Sequence, residues 1–233
     1  MKLALLGDIH GNKLALQAVL ESAKNHNVDK LLITGDLVGY YPFVKEVLDL
    51  LKPWKKFIVS GNHEVMMKNS INDNDYLKKI SLKYGSSIKI ALNTLSSKEI
   101  DYLTGLPHPL HIEIDNKKII LCHGSPENIN EYLYPDINFE LLQWADNYSA
   151  EIVVCGHTHH PMLKKIKNKI YVNPGSVGQP RNKSKKAHWV LYDTDTNIFI
   201  FKEETYDIKK MITIIKKEEP NIPYLYKILE SNG

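Results

Sequence analysis

The chain has 233 residues, of which 43% are hydrophobic and 24% charged, with a formal net charge of +3. That length supports a substantial core in one large α/β domain or two small ones, and the composition excludes a disordered chain. So small a charge gives no bulk electrostatic reason to bind nucleic acid, and the lysine pairs at 55–56, 164–165 and 185–186 read as solvated surface.

The opening MKLALLGDIHGN is cut by Asp8 and His10 too early for a signal peptide, so residues 3–6 read as a first strand. Further short apolar runs at 31–34 and 57–59 have the pattern of strands buried on both faces. Between them lie helical patterns. Asn12 can cap one that turns Leu14, Ala15, Ala18, Val19 and Ala23 to a common face, and Pro42 opens another carrying Phe43, Val44, Val47, Leu48 and Leu51. A βαβαβ order predicts a parallel sheet. The middle is helical over 76–92 with a break at Gly85, followed by a Ser96-x-x-Glu99 capping box and a short helix ending near Gly105.

The second half reads as hairpins, with turns at Asp115-Asn116, at Lys167-Asn168 and over 194–197. A helical stretch over 139–148 interrupts them. Cys122 and Cys155 each end an apolar run and read as reduced core residues, as in a cytoplasmic protein. The tail from Asp207 places Ile208, Met211, Ile212 and Ile215 on one face, which predicts that residues 206–233 dock on the body. No repeat or linker composition divides the chain, and no run approaches the ~20 apolar residues of a membrane span. One domain over 1–233 is expected, with two packed sheets and helices outside.

The strand ends carry the chemistry. Gly7-Asp8-Ile9-His10 follows the first strand, Gly35-Asp36 the second, and Gly61-Asn62-His63-Glu64 the third. His123-Gly124 follows KKIILC, and VVCGHTHHP presents His157 and His159 after another short strand. Ligand sites of open α/β sheets lie at carboxyl ends of strands, so these tips are expected to meet. Each polar group alone reads equally well as a cap or a turn residue. Five turns that all expose metal-competent groups are a poor coincidence.

Carboxylate, imidazole and amide oxygen together suit first-row divalent metals, not the all-oxygen shell of calcium or a thiolate zinc site. The set suffices for two ions with one carboxylate shared. Such a centre stays net positive, attracts phosphate and stabilises both oxygens of an in-line displacement.

DIHGN, GD, GNHE, CHGSP and GHTHHP, in that order, resemble the five blocks of calcineurin-like metallophosphoesterases. The resemblance spans residue 3 to about residue 193. GDLVGYYP, HGSP and NPGSVGQPR further resemble the small bacterial and archaeal phosphodiesterase branch. It implies an α/β fold, a four-layer αββα sandwich of two mixed sheets flanked by helices. It implies a first metal on Asp8, His10, Asp36 and His159, and a second on Asp36, Asn62, His123 and His157. His63 would act on the leaving group or steady the phosphoryl oxygens. The cofactor implied is two divalent ions, Mn²⁺ first, with Fe, Zn, Co or Ni as alternatives.

The implied activity is hydrolysis of phosphodiester or phosphomonoester bonds by metal-activated hydroxide, on small nucleotide-like substrates. Two rivals are a protein-binding scaffold with a decayed site and a nuclease on short oligonucleotides. The scaffold should have lost a ligand, and all seven positions and His63 are present. Neither a membrane nor long nucleic acid is an expected partner. Glu64 stands where Asp is commoner in the family, which bears on how His63 is oriented. Tyr41 offers either a stacking surface for a nucleobase or packing against the helix opened by Pro42, and Arg181 either grips a substrate phosphate or faces solvent.

Overall fold

The computed structural model describes residues 1–138, 142–181 and 184–230. In chain order come β1 (Lys2–Leu6), α1 (Lys13–Asn25), β2 (Lys30–Ile33), α2 (Val44–Leu51) and β3 (Lys56–Ile58). Four helices follow: α3 (Asn62–Ser70), α4 (Asn74–Tyr84), α5 (Ser87–Thr94) and α6 (Ser97–Thr104). Next are β4 (Leu110–Ile114), β5 (Lys117–Leu121), a 3₁₀ helix (Gln143–Asn147) and β6 (Ile152–Val154). The chain continues through β7 (Met162–Ile166), β8 (Lys169–Asn173), β9 (Ala187–Asp193) and β10 (Ile198–Glu204) to α7 (Ile208–Glu218) and α8 (Tyr224–Glu230).

Among the described residues the strands form two mixed five-stranded sheets, ordered β10-β9-β1-β2-β3 and β4-β5-β6-β8-β7, flanked by eight helices. β1, β2 and β3 are parallel as their sequence predicts, and the last hairpin joins the same sheet because β9 lies antiparallel to β1. The two-residue period of each strand decides what it buries. In β1, Leu3 and Leu5 point between the sheets while Ala4 and Leu6 point to the helices. Leu32, Ile119, Leu121, Ile152, Val154, Val172 and Val190 complete the layer between the sheets. The opposite face of the first sheet packs under α1 to α6 through Leu16, Val19, Val47, Met67, Ile88 and Leu103.

Local signals act where expected. The Asn12 side chain accepts from the N–H of Ala15 at 3.1 Å to cap α1. Ser96 and Glu99 form the capping box of α6, the Ser96 N–H donating to Glu99 Oε2 at 2.9 Å. Gly85, at φ +88°, separates α4 from α5. α2 starts at Val44, two residues after Pro42, because Gly39 and Tyr40 hold left-handed φ of 93° and 52° and keep the preceding loop irregular.

The outer face of the second sheet is covered differently. Ile120, Val153 and Tyr171 pack under Leu133, Trp144 and Ala145, and the buried Cys122 and Cys155 remain free thiols. The helix expected over 139–148 is a 3₁₀ turn in its described part, since Trp144 and Ala145 supply only one short apolar stripe; residues 139–141 lie outside the described residues. No helix among the described residues is long and apolar enough to cross a membrane. α7 and α8 lay Met211, Ile215, Leu225 and Leu229 against Tyr40 and Tyr41, so the tail docks on the loop that follows β2.

The layer between the sheets sets the stability. In metal-free protein, Leu5→Ala should cost ~2–5 kcal/mol in urea unfolding, because a cavity remains between two rigid sheets. Ile200→Ala, at a side chain 47% exposed on edge strand β10, should stay within ~0.5 kcal/mol. Equal losses at the two positions would contradict this account.

Candidate metal centre at the carboxyl edge of the sheets

The carboxyl ends of β1, β2, β5 and β6 and the start of α3 meet at one buried edge. Asp8, His10, Asp36 and His123 are at most 1% exposed, and Asn62, His63, His157 and His159 at most 9%. Five of these residues have left-handed backbones: Asp8 (φ 53°), His10 (50°), Asp36 (54°), His157 (66°) and His159 (62°). Such φ values are uncommon outside glycine, and several together mark a place where the fold holds strained backbone for a purpose. The turn at each tip aims the side chain back across the sheet edge.

Backbone carbonyls fix the imidazoles. A carbonyl only accepts, so each ring nitrogen facing one carries the proton. His10 Nδ1 donates to the Val38 carbonyl at 3.0 Å, His123 Nδ1 to Thr34 at 2.8 Å, and His159 Nδ1 to Gln179 at 2.6 Å. Their Nε2 atoms therefore face inward, at other acceptors. His10 Nε2 lies 3.1 Å from His159 Nε2 and 3.6 Å from Asp36 Oδ2. His159 Nε2 lies 3.5 Å from Asp8 Oδ1, while buried Asp8 Oδ2 has no partner. On the other side, His123 Nε2 lies 2.8 Å from Asn62 Oδ1, 3.1 Å from His157 Nδ1 and 3.4 Å from Asp36 Oδ2. The facing lone pairs of His10 and His159 repel in a buried site unless a cation stands between them, and on the His123 side either a proton on Nε2 or a metal ion must fill that place. The donor set is imidazole, carboxylate and amide oxygen, so it fits a first-row divalent ion.

The electrostatics agree with that fit. Burial pushes the Asp8 carboxyl up to about 7. Burial also acts against ionised Asp36, but the neighbouring His123 and His63 outweigh it and hold the carboxyl well below its usual range. Burial holds His10 and His159 well below the usual imidazole range and His157 down to about 3, so these rings are neutral, the form in which imidazole can bind a metal. His123 is the exception. Burial works against its cation, yet Asp36 and Asp8 raise it to about 9. Without metal, a proton on His123 supplies the positive charge on one side of Asp36.

Supporting residues lock the tips. The Glu64 carboxylate accepts from the backbone N–H groups of Gly61 (2.7 Å), Asp36 (2.8 Å), Leu37 (2.8 Å) and Val38 (3.1 Å). It thus fixes the loop carrying Asp36 and is not hydrogen-bonded to the His63 ring, whose Nδ1 is buried and unpartnered. That ring lies against Gly39, where an added Cβ would fall 2.1 Å from Nδ1. The NPGSVGQ loop braces the other tips: Ser176 Oγ donates to the Asp8 carbonyl at 2.7 Å, and Asn173 Nδ2 to the Gly156 carbonyl at 2.7 Å.

A cleft of about 340 Å³ opens over Asp36, Asn62, His157 and His159, with His63 and Arg181 on its walls. Arg181 therefore faces the cleft and not bulk solvent. Tyr41 does not. It is fully buried, its hydroxyl donating to the Leu225 carbonyl at 3.3 Å, so it cannot stack on a nucleobase. The tyrosines that reach the cleft are Tyr40, Tyr84, Tyr132 and Tyr224, joined by Lys83. Sequence reading missed the last four because they come from α4, from the loop after β5 and from α8, away from any strand tip. Only tertiary packing gathers them.

This geometry has relatives. The calcineurin-like phosphoesterase superfamily domain matches residues 1–197. The chain belongs to that superfamily and is a metal-dependent phosphoesterase. It is 34% identical to an uncharacterized protein of Methanocaldococcus jannaschii, MJ0912, over 92% of each chain. The phosphodiesterase YfcE of Escherichia coli is 23% identical over 82% of this chain and 87% of its own. The crystal structure of hypothetical protein PH1004 from Pyrococcus horikoshii superposes with a TM-score of 0.88 at 26% identity, covering 100% of this chain and 98% of that one.

Metal uptake should release protons, because the ligands must be deprotonated to bind. With His123 raised to about 9 and Asp8 to about 7, apparent affinity for a divalent ion should rise with pH across that window. Below it both groups bind protons that compete with metal; above it neither does. Calorimetry in buffers of different ionisation enthalpy should detect at least one proton released per chain near neutral pH. No release there would contradict a protonated His123.

Proposed function

We propose that the chain hydrolyses phosphodiester or phosphomonoester bonds of small, nucleotide-sized substrates at a centre of two divalent ions. The observation that carries this reading is the pair of facing donor groups sharing Asp36 Oδ2, which lies 3.6 Å from His10 Nε2 and 3.4 Å from His123 Nε2. One oxygen between two sets of lone pairs is what a bridging carboxylate requires. Asp8, His10, Asp36 and His159 would hold one ion, and Asp36, Asn62, His123 and His157 the other. Bound there, the ions supply Lewis-acid charge to the phosphoryl oxygens and acidify water.

The remaining steps fall to the chain itself. Asp36 Oδ1 accepts from the His63 backbone N–H at 2.9 Å, so the carboxylate that joins the two halves also sets the start of α3. The His63 ring is held edge-on to His10 and Tyr84 and tilted against Tyr40, with centroids 4.9 to 5.1 Å away. It stands on the cleft wall, in place to steady a phosphoryl oxygen or, once protonated against the burial that lowers its pKa, to protonate a departing alkoxide. The cleft has room for about one nucleotide unit over the donor cluster, which supports a small nucleotide-like substrate.

Because every proposed ligand atom is nitrogen or oxygen, metal-stripped protein should be inactive on bis-para-nitrophenyl phosphate. Mn²⁺ should restore turnover, and Co²⁺ or Ni²⁺ should do so in part, with Mg²⁺ less effective because imidazole suits it poorly. Full activity in excess chelator after exhaustive dialysis would sink the two-metal reading.

His63→Ala should retain both metals yet lose rate by ~10²-fold or more, the scale of general acid catalysis. The loss should shrink when the leaving group is nitrophenolate, if His63 donates a proton. An equal loss for good and poor leaving groups would assign it to the phosphoryl oxygens instead.

A further inference from the structure

Among the described residues, two cations on the cleft wall have no acidic partner. Arg181 meets the Tyr40 hydroxyl at 3.4 Å, and its buried Nε is unpartnered. The Lys83 ammonium sits 4.8 Å over the Tyr84 ring. Among the described residues, no carboxylate lies within ion-pair distance of either. A half-buried guanidinium next to a centre that already attracts anions is costly unless an anion arrives to share it.

The C-terminal tail holds both cation-bearing segments. Tyr224 donates its hydroxyl to Gln179 Oε1 at 3.3 Å, two residues before Arg181. Glu219 accepts from the Ser86 N–H at 2.6 Å and from the Ser86 hydroxyl, three residues after Lys83. Leu225 closes over Gly85, where a Cβ would meet its Cδ1 at 2.7 Å. The Tyr224 ring lies 6.2 Å from that of Tyr40, which lies 6.0 Å from that of Tyr84, so the tail completes a continuous aromatic wall. The superfamily match ends at residue 197, so Tyr224, which completes this wall beside Tyr40 and Tyr84, comes from chain outside it.

We propose that Arg181 and Lys83 form a second anion subsite beside the metal centre, roofed by Tyr224 of the tail, so that the preferred substrate is a nucleotide bearing a further phosphate besides the ester cleaved. The proposal rests on the phosphoesterase reading above and deepens it. The tyrosine faces suit a base, the two cations suit the extra phosphate, and about 340 Å³ is at the lower end of small-ligand pockets, which suits a single nucleotide unit.

The probes are AMP and adenosine 3′,5′-bisphosphate, whose second phosphate lies across the ribose from the first. As competitive inhibitors of bis-para-nitrophenyl phosphate hydrolysis by the manganese-loaded protein, the bisphosphate should bind at least roughly tenfold more tightly, the scale of one added charged hydrogen bond. That ratio should fall toward one in both Arg181→Gln and Lys83→Gln, and Tyr224→Ala should weaken the bisphosphate. The rise in Tm that each ligand gives should follow the same order, and this readout needs no turnover. Equal inhibition constants and equal Tm shifts in the unmodified protein would overturn the subsite, as would an unchanged ratio in both glutamine variants. Chelator-resistant hydrolysis would instead overturn the metal centre, while the Tm comparison would still judge the subsite.

Discussion

One buried carboxylate holds the working edge of this protein together. Glu64 accepts four backbone N–H groups from two separate strand tips, which favour its ionised form against the burial and the Asp36 charge that push the carboxyl up to about 7. An amide at this position would present donors to donors. By fixing the N–H groups of residues 36, 37 and 38, Glu64 sets the direction of Asp36, the side chain that faces both halves of the donor cluster. It also anchors the start of α3, which carries Asn62 and His63. The third strand tip is thus a positioning element as much as a source of ligands.

The rest of the fold serves that edge. The layer between the sheets brings the ends of β1 and β2 against those of β5 and β6, so groups more than a hundred residues apart share one small volume. The carbonyls that orient the imidazoles come from the same turns: Thr34 and Val38 after β2, and Gln179 in the loop before β9. Each ring therefore reports on a strand other than its own. The strained tips are affordable because the apolar layers on both sides are continuous.

Much of this was legible in the sequence. The apolar runs ending in Gly-Asp, Gly-Asn-His and Gly-His mark strands and their loaded ends, and the capping box at Ser96 and the break at Gly85 fall where the structure has them. Element boundaries near Pro42 were less legible, because left-handed residues at 39 and 40 delay the helix and no local pattern announces them. Glu64 invited a reading centred on its neighbour His63, whereas three of its four partners are backbone groups 26 to 28 residues upstream, invisible to spacing. The cleft walls were illegible for a similar reason. Tyr84, Tyr132 and Tyr224 are unremarkable surface-helix or loop residues until the tail folds back, while Tyr41, adjacent to the motif, turns inward to meet that tail.

The left-handed backbones at Asp8, His10, Asp36, His157 and His159 bear on how mutational data from this edge are to be understood. Asparagine, aspartate and histidine tolerate this conformation better than other residues with a side chain. Alanine at such a position removes a donor and also raises the energy of the backbone that presents its neighbours, so its effect is a sum of two terms. Asparagine at the aspartates, or glycine anywhere in the set, separates them: the first keeps the turn and changes the charge, the second removes the side chain without imposing the steric cost. A scan that used alanine alone would credit coordination chemistry with energy that belongs to the turn.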